Sequence, residues 1–299
     1  MEQAVTLTAA ERTIMLNIEK RRYLRRRVVD NFMTGLVTSL TIVSVGALVI
    51  IVGFMIVKGL TSLNVDFFIK EPAPAGEAGG GIANGIVGTI IMVLLGAVIA
   101  VPLGIGAAVF LAEYGKGWFA EATRFTMDVL AGVPSIIIGL FVWATLVHAT
   151  GTFSGFAGAI ALAVIMLPII ARSVEEILRL VPDMLREAGL ALGTPRWRVT
   201  LGIVIPTVFP GIVTGVILAM ARAAGETAPL ILTALGSQFV TLDISQPMGA
   251  IPLQAYTYTS SPYPDQNNQA FAAMLVLIVV IAIISALVRV FTGRVQYER

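Results

Sequence analysis

Apolar residues in this chain come in runs of about 20, without the narrow stripe of a surface helix or the alternation of a half-buried strand. The runs cover residues 33–57, 84–112, 126–147, 156–174, 207–235 and 270–291. Each is long enough to cross a hydrocarbon core as a helix. Lipid offers no hydrogen bonds to an open backbone, so spanning segments must satisfy their own amides. Missing dyad alternation argues against a barrel. The pattern predicts an all-α polytopic membrane protein of six transmembrane helices, with both termini on one side. Domain organisation follows: a basic arm over 1–30, then a membrane domain over 31–299 whose core is 84–292.

Composition supports this reading. The chain is 57% hydrophobic and only 13% charged, with mean hydropathy +0.90, against about 25% charged residues in soluble domains. With no cysteine, disulfides, Cys-bound zinc and iron–sulfur clusters are excluded, and His148 alone cannot build a histidine metal site. No small-residue cleavage site follows the first apolar run, so a removable signal peptide is not expected.

Net charge is only +2, so the position of the charges matters more than their sum. Lys20, Arg21, Arg22, Arg25, Arg26 and Arg27 precede the first run; Arg179, Arg186, Arg196 and Arg198 fall between the fourth and fifth, with Arg172 at the edge. Arg289, Arg294 and Arg299 end the chain, whereas Gly236 to Gln269 holds no Lys or Arg. Short loops rich in these residues stay in the cytoplasm, which predicts cytoplasmic termini and a cytoplasmic loop around 175–206. The basic arm also suits anionic lipid, and a nucleic-acid patch is the competing reading, set aside in favour of topology. Among the outer loops, Glu71–Gly85 is turn-forming and reads as a flexible linker, whereas Ala255–Gln269 carries Tyr256, Tyr258 and Tyr263 and suits an interface or an aromatic belt equally. Glu113 and Tyr114, ending the second run, read as interface residues, and His148 as an exposed loop residue.

Residues 181–206 are too polar to cross lipid and too patterned for a loose linker. They predict helix, turn, helix: Pro182 in a first turn, Gly193 as a stop, Thr194 and Pro195 as cap and first residue, Pro206 as the close. Such a stiff corner could grip a soluble motor, or lie at the interface as an amphipathic helix with Trp197 among the headgroups.

Glu187-Ala188-Gly189, Gly193, Ile203, Ile205 and Pro206 resemble the EAA loop of ABC importer permeases, with Gly189 for the usual second Ala and Ile205 for Leu. The resemblance implies that Glu187, Ala188, Gly189, Gly193, Thr194 and Pro195 belong to a coupling helix that docks on an ATPase, within a type I ABC importer permease core.

The fifth run contains Arg222 and Glu226, spaced to share one face of a helix and placed about midway through it. A central Arg in lipid costs at least about 2.5–3.5 kcal/mol, so it should face protein or a watery path. Its planar fork suits phosphate oxygens, while Glu226 could hold it between passages or take a proton; a packing ion pair is the alternative. Gly225 and Pro229 favour a kink beside the pair.

Ala221-Arg-Ala-Ala-Gly-Glu-Thr-Ala-Pro-Leu230 closely resembles the corresponding span of the PstA family of phosphate permeases, and further similar segments cover all but about the first 30 residues. That resemblance implies a phosphate pathway at Arg222, Glu226, Thr227 and Arg172. It also implies a PstC-type permease, two copies of a PstB-type ATPase holding ATP and Mg, and a PstS-type phosphate-binding protein as partners, with no cofactor on this chain and no nucleic acid. No Walker A loop is present, so a non-catalytic subunit is expected. The rival class is a secondary transporter using Glu226 as an ion or proton carrier.

Overall fold

A computed structural model describes the backbone of residues 9–297 and the side chains of residues 26–287. Most side chains of the predicted arm, 1–30, and the C-terminal arginines therefore lie outside the described residues. By packing, the chain divides into two units, Met1–Phe54 and Met55–Arg299. Nearly all of the first unit is α1, a helix from Ala9 to Gly59 that continues into the second. From Val28 to Ile51 its apolar side chains are exposed on all sides, as expected of a span that lipid solvates.

The second unit continues with α2 (Val65–Ile69), capped by Asn64, whose side chain accepts from the Phe67 amide. Next come α3 (Ala83–Val109), prolonged by a π-helical turn at Phe110–Tyr114, and α4 (Trp118–Gly132). After α5 (Ser135–Val142), a second π turn at Trp143–Val147 leads into α6 (His148–Thr150). Helix α7 (Gly155–Arg179) precedes α8 (Asp183–Ala191) and α9 (Arg196–Val199). A third π turn, Thr200–Val204, joins α9 to α10 (Ile205–Ala224), followed by α11 (Ala228–Thr233), α12 (Ile251–Thr259) and α13 (Pro264–Tyr297). No strand forms among the described residues.

The core lies where α3 runs along α7, with α10 packed on α7 and α13. Hydrophobicity alone does not drive helices together in lipid, so close backbone approach through small residues must. At Gly96 a Cβ would come within 2.8 Å of the Ala159 carbonyl oxygen, and at Gly104 within 2.8 Å of Ile170.

Five helical segments are long and apolar enough to cross a membrane: Arg26–Ser62, Ala83–Tyr114, Gly155–Arg179, Arg196–Ala224 and Pro264–Leu287. The predicted span 126–147 is not one straight helix. It falls on α4 and the α5–α6 segment, bent by 102° at Val133–Pro134, and these make a sixth crossing only as a broken span. Pro134 cannot donate a helical hydrogen bond and drives Val133 into extended backbone, φ −69° and ψ 129°.

The loop expected to be a flexible linker is tied down. Gly81 donates to Glu71, Gln269 donates to the Gly79 carbonyl at 2.7 Å, and the Glu71 side chain accepts from the Val240 amide at 2.6 Å. Part of the Tyr-rich loop folds as α12, started by Pro252, with Tyr258 buried and Tyr256 and Tyr263 exposed. His148 is exposed, as expected, but on a helical turn.

Candidate functional site

Two regions gather the residues singled out above. One is the elbow made by α8 and α9 beyond the ends of α3 and α7; the other is the charged break after α10.

The elbow forms because its ends are capped by backbone chemistry. Asp183 sits in the first turn of α8, where a carboxylate favours the helix dipole. Gly193 lies at φ +76°, the left-handed conformation that ends a helix, and its amide donates to the Leu190 carbonyl at 2.9 Å. Boundaries differ from the predicted ones by one place. Pro182 precedes the first turn of α8, and Pro195, not Thr194, takes the cap position before Arg196, without a side-chain bond. Pro206 does not close a helix, since Arg196–Ala224 runs on as one segment. The π turn just before it loosens the ladder where a proline ring would clash with the preceding turn.

Glu187 and Ala188 are exposed, as are Met184 and Leu192, so α8 has a bare outer face that is partly apolar. Gly189 faces inward, where a Cβ would come within 2.9 Å of Val199 and 3.0 Å of Ile203. The arms of the elbow therefore touch at Gly189.

Behind that face lie charges whose pairing the sequence did not reveal. Glu113 is buried in the π turn ending α3 and binds Arg186 of α8, with Nη2 to Oε1 at 2.9 Å and Nε to Oε1 at 3.0 Å. Arg196 donates to the Glu113 carbonyl and covers the Tyr114 ring, 5.2 Å from its centroid. Glu175 of α7, also buried, accepts from Arg124 of α4 at 2.9 Å and from Arg179 at 2.6 Å. Glu113 and Tyr114 thus make an internal joint, at least within this chain. An isolated acid at the end of an apolar run was the only signal, and Arg186 lies 73 positions away.

At the second region, the expected helix through 207–235 breaks. Helix α10 stops at Ala224, Gly225 takes the C-cap, and α11 restarts at Ala228 with Pro229 near its N-terminus. The predicted kink is present as a full break, and it separates the charges. Arg222 occupies the last turn of α10, exposed, while Glu226 and Thr227 sit half-buried in unwound backbone. They do not share a helix face, and no Arg222–Glu226 ion pair occurs among the described residues. Irregular backbone within an apolar segment survives where it is covered by protein or lines a wet cavity. A cation near the carbonyl end of a helix is also favoured by the dipole.

Arg172 lies within α7, not at a loop edge, and pairs with Asp128 of α4, both groups partly exposed. Nothing in the sequence pointed to this pairing, because Asp128 lies 44 positions from Arg172. Among the described residues no cluster of three or more His, Cys, Asp or Glu could hold a metal ion.

Residues 100–297 match the family model for the binding-protein-dependent transport system inner membrane component. A phosphate transport system permease protein, PstA of Yersinia pestis, is 42% identical over 243 residues, covering 81% of this chain and 82% of that protein. The chain belongs to that transport family, in its PstA branch. PstA of Haemophilus influenzae is 40% identical over 271 residues, 90% of this chain and 96% of its own, and PstA 1 of Mycobacterium tuberculosis is 36% identical over 291 residues, 95% and 94%. This PstA-branch chain shares its fold with a subunit of the inward-facing MetNI methionine ABC transporter, with TM-score 0.51, 21% identity and coverage of 73% and 94%. A multi-pass membrane permease built on the ABC importer fold is therefore established for the PstA-branch chain.

Proposed function

We propose that this chain is the membrane-spanning permease subunit of an ATP-driven phosphate importer, forming half of the translocation pathway. The observation that carries the proposal is the elbow: α8 presents Glu187, Ala188, Met184 and Leu192 outward on a short helix whose inner side is fixed by buried charge. A surface of that kind can receive a push without dissipating it. The phosphate permeases named among the relatives supply the substrate class.

In this reading the elbow and both termini are cytoplasmic, by the distribution of Lys and Arg. The Glu187–Pro195 corner docks on one of two PstB-type ATPase copies, which bind and hydrolyse ATP with Mg. This chain is non-catalytic and binds no cofactor. A PstC-type permease completes the pathway, and a PstS-type binding protein delivers phosphate from outside. Residues 1–30 act as a basic arm and 31–299 as the permease domain.

Arg222, with Glu226 and Thr227 in the unwound segment beside it, offers a guanidinium fork where the helix ends, suited to two phosphate oxygens. Arg172 is the second cation of the path. Nucleotide-driven closure of the ATPases moves the elbow and changes which side the Arg222 region faces.

The test is ATP-dependent phosphate uptake by the purified complex in proteoliposomes. Glu187→Ala should weaken retention of the ATPase. Arg222→Ala should abolish uptake with the complex still assembled, and Arg222→Lys should restore little because a point charge lacks the fork. Normal uptake by Arg222→Ala would remove that residue from the pathway.

A further inference from the structure

The geometry points to Glu113 and Arg186 as positioning residues that transmit motion of the elbow into α3, making the coupling of hydrolysis to transport depend on this buried pair. The inference rests on the reading of α8 as the ATPase contact.

Every donor of the Arg186 guanidinium is used. Nε and Nη2 bind Glu113, Nη2 also reaches the Leu178 carbonyl at 2.9 Å, and Nη1 reaches the Val181 carbonyl at 2.5 Å and Asp183 Oδ1 at 3.1 Å. One side chain therefore joins α8 to the end of α3, the end of α7 and the connection between α7 and α8. Its partner is the more deeply held: the Glu113 side chain is 3% exposed and that of Arg186 18%.

The second arm of the elbow holds the same turn. Arg196, opening α9, donates to the Glu113 carbonyl and lies over the ring of the adjacent Tyr114. Both arms thus grip Phe110–Tyr114, a π-helical turn, and such turns are frequent at functional sites. The short connections Leu180–Pro182 and Leu192–Pro195 would otherwise be the natural places for a push on α8 to be absorbed. With the clamp in place, displacement passes into α3, which packs along α7, the helix carrying Arg172. Salt bridges on an open surface would yield under such a load, whereas this pair is shielded from water.

The measurement is ATP hydrolysed per phosphate imported, using the complete complex with its binding protein in proteoliposomes. Glu113→Gln keeps the shape of the side chain and removes its charge. It should retain the ATPase subunits yet raise the ratio by about five-fold or more, the lower end of usual coupling strengths. Arg186→Lys, keeping charge but losing the fork, should give an intermediate ratio. Assembled complexes with an unchanged ratio would overturn the assignment. So would failure of both variants to assemble, because the pair would then be only a structural brace. Glu187→Ala is run alongside: if it leaves ATPase retention and uptake untouched, the docking reading falls, whereas the ratio in Glu113→Gln judges the clamp separately.

Discussion

Arg172 on α7 is held by the carboxylate of Asp128 on α4, so a cation read from the sequence as a loop-edge residue already has a resident anion. Their side chains are 39% and 52% exposed, and where they face a water-filled path such a pair contributes at most about 1 kcal/mol. Asp128→Asn should therefore leave the unfolding temperature nearly unchanged. If an incoming phosphate must displace this carboxylate, its removal should raise the maximal uptake rate by up to roughly five-fold, the kinetic equivalent of that energy. Unaltered uptake would make the pair a brace between α4 and α7.

The two arms of the elbow meet at Gly189. A methyl group there would recover about 1 kcal/mol of helix propensity, offset by its pressing on both methyls of the buried, stiff Val199 side chain, while the end of Ile203 can shift. Gly189→Ala should be close to neutral in thermal unfolding. Gly189→Leu would force the arms apart at a cost of about 1–3 kcal/mol. It should also reduce ATPase co-purification; full retention by Gly189→Leu would show that the angle of the elbow is unimportant for docking.

Two glycines of α3 should respond oppositely to alanine. At Gly88 a Cβ would run into the Gly249 carbonyl oxygen, a backbone atom that cannot swing away. Gly106 has open space around it. Gly88→Ala is expected to destabilise by about 1–3 kcal/mol and Gly106→Ala to stabilise by about 0.5–1 kcal/mol, measured by thermal unfolding in detergent. Equal shifts would refute the close approach at Gly88.

Burial pushes the Tyr258 phenol up from its usual range, offset only in part by a hydrogen bond from Gln254. The folded state then keeps its proton at a pH where the unfolded chain has released it. The contribution to stability is whole below about pH 10, the unfolded value, and is lost as pH rises through the higher folded value. Tyr258→Phe should lack this alkaline loss. Parallel alkaline stability curves for the two proteins would contradict the burial of that phenol.

The elbow and the spans differ in how far they could be read in advance. Four of the six apolar runs became single long helices because the cost of an open backbone in lipid leaves few alternatives for 20 apolar residues. Gly193 and the helix–turn–helix were legible because capping is local chemistry between near neighbours. The run at 126–147 was misread at Pro134, which interrupts the ladder inside an apolar stretch, whereas across Gly225–Pro229 a kink was expected and the structure makes it a full break. Arg222 and Glu226 had the right spacing for a shared face, but a four-residue interval places two side chains together only while the helix between them lasts.

Amino-acid order was sufficient for the class of molecule and the helical elbow, because each depends on solvation or on contacts within a few positions. It could not say that Arg186 would find Glu113, that Asp128 would hold Arg172, or that Gly189 would face Val199. Those pairings depend on which helix ends come together, and buried charges accept partners from anywhere in the chain once packing has excluded water.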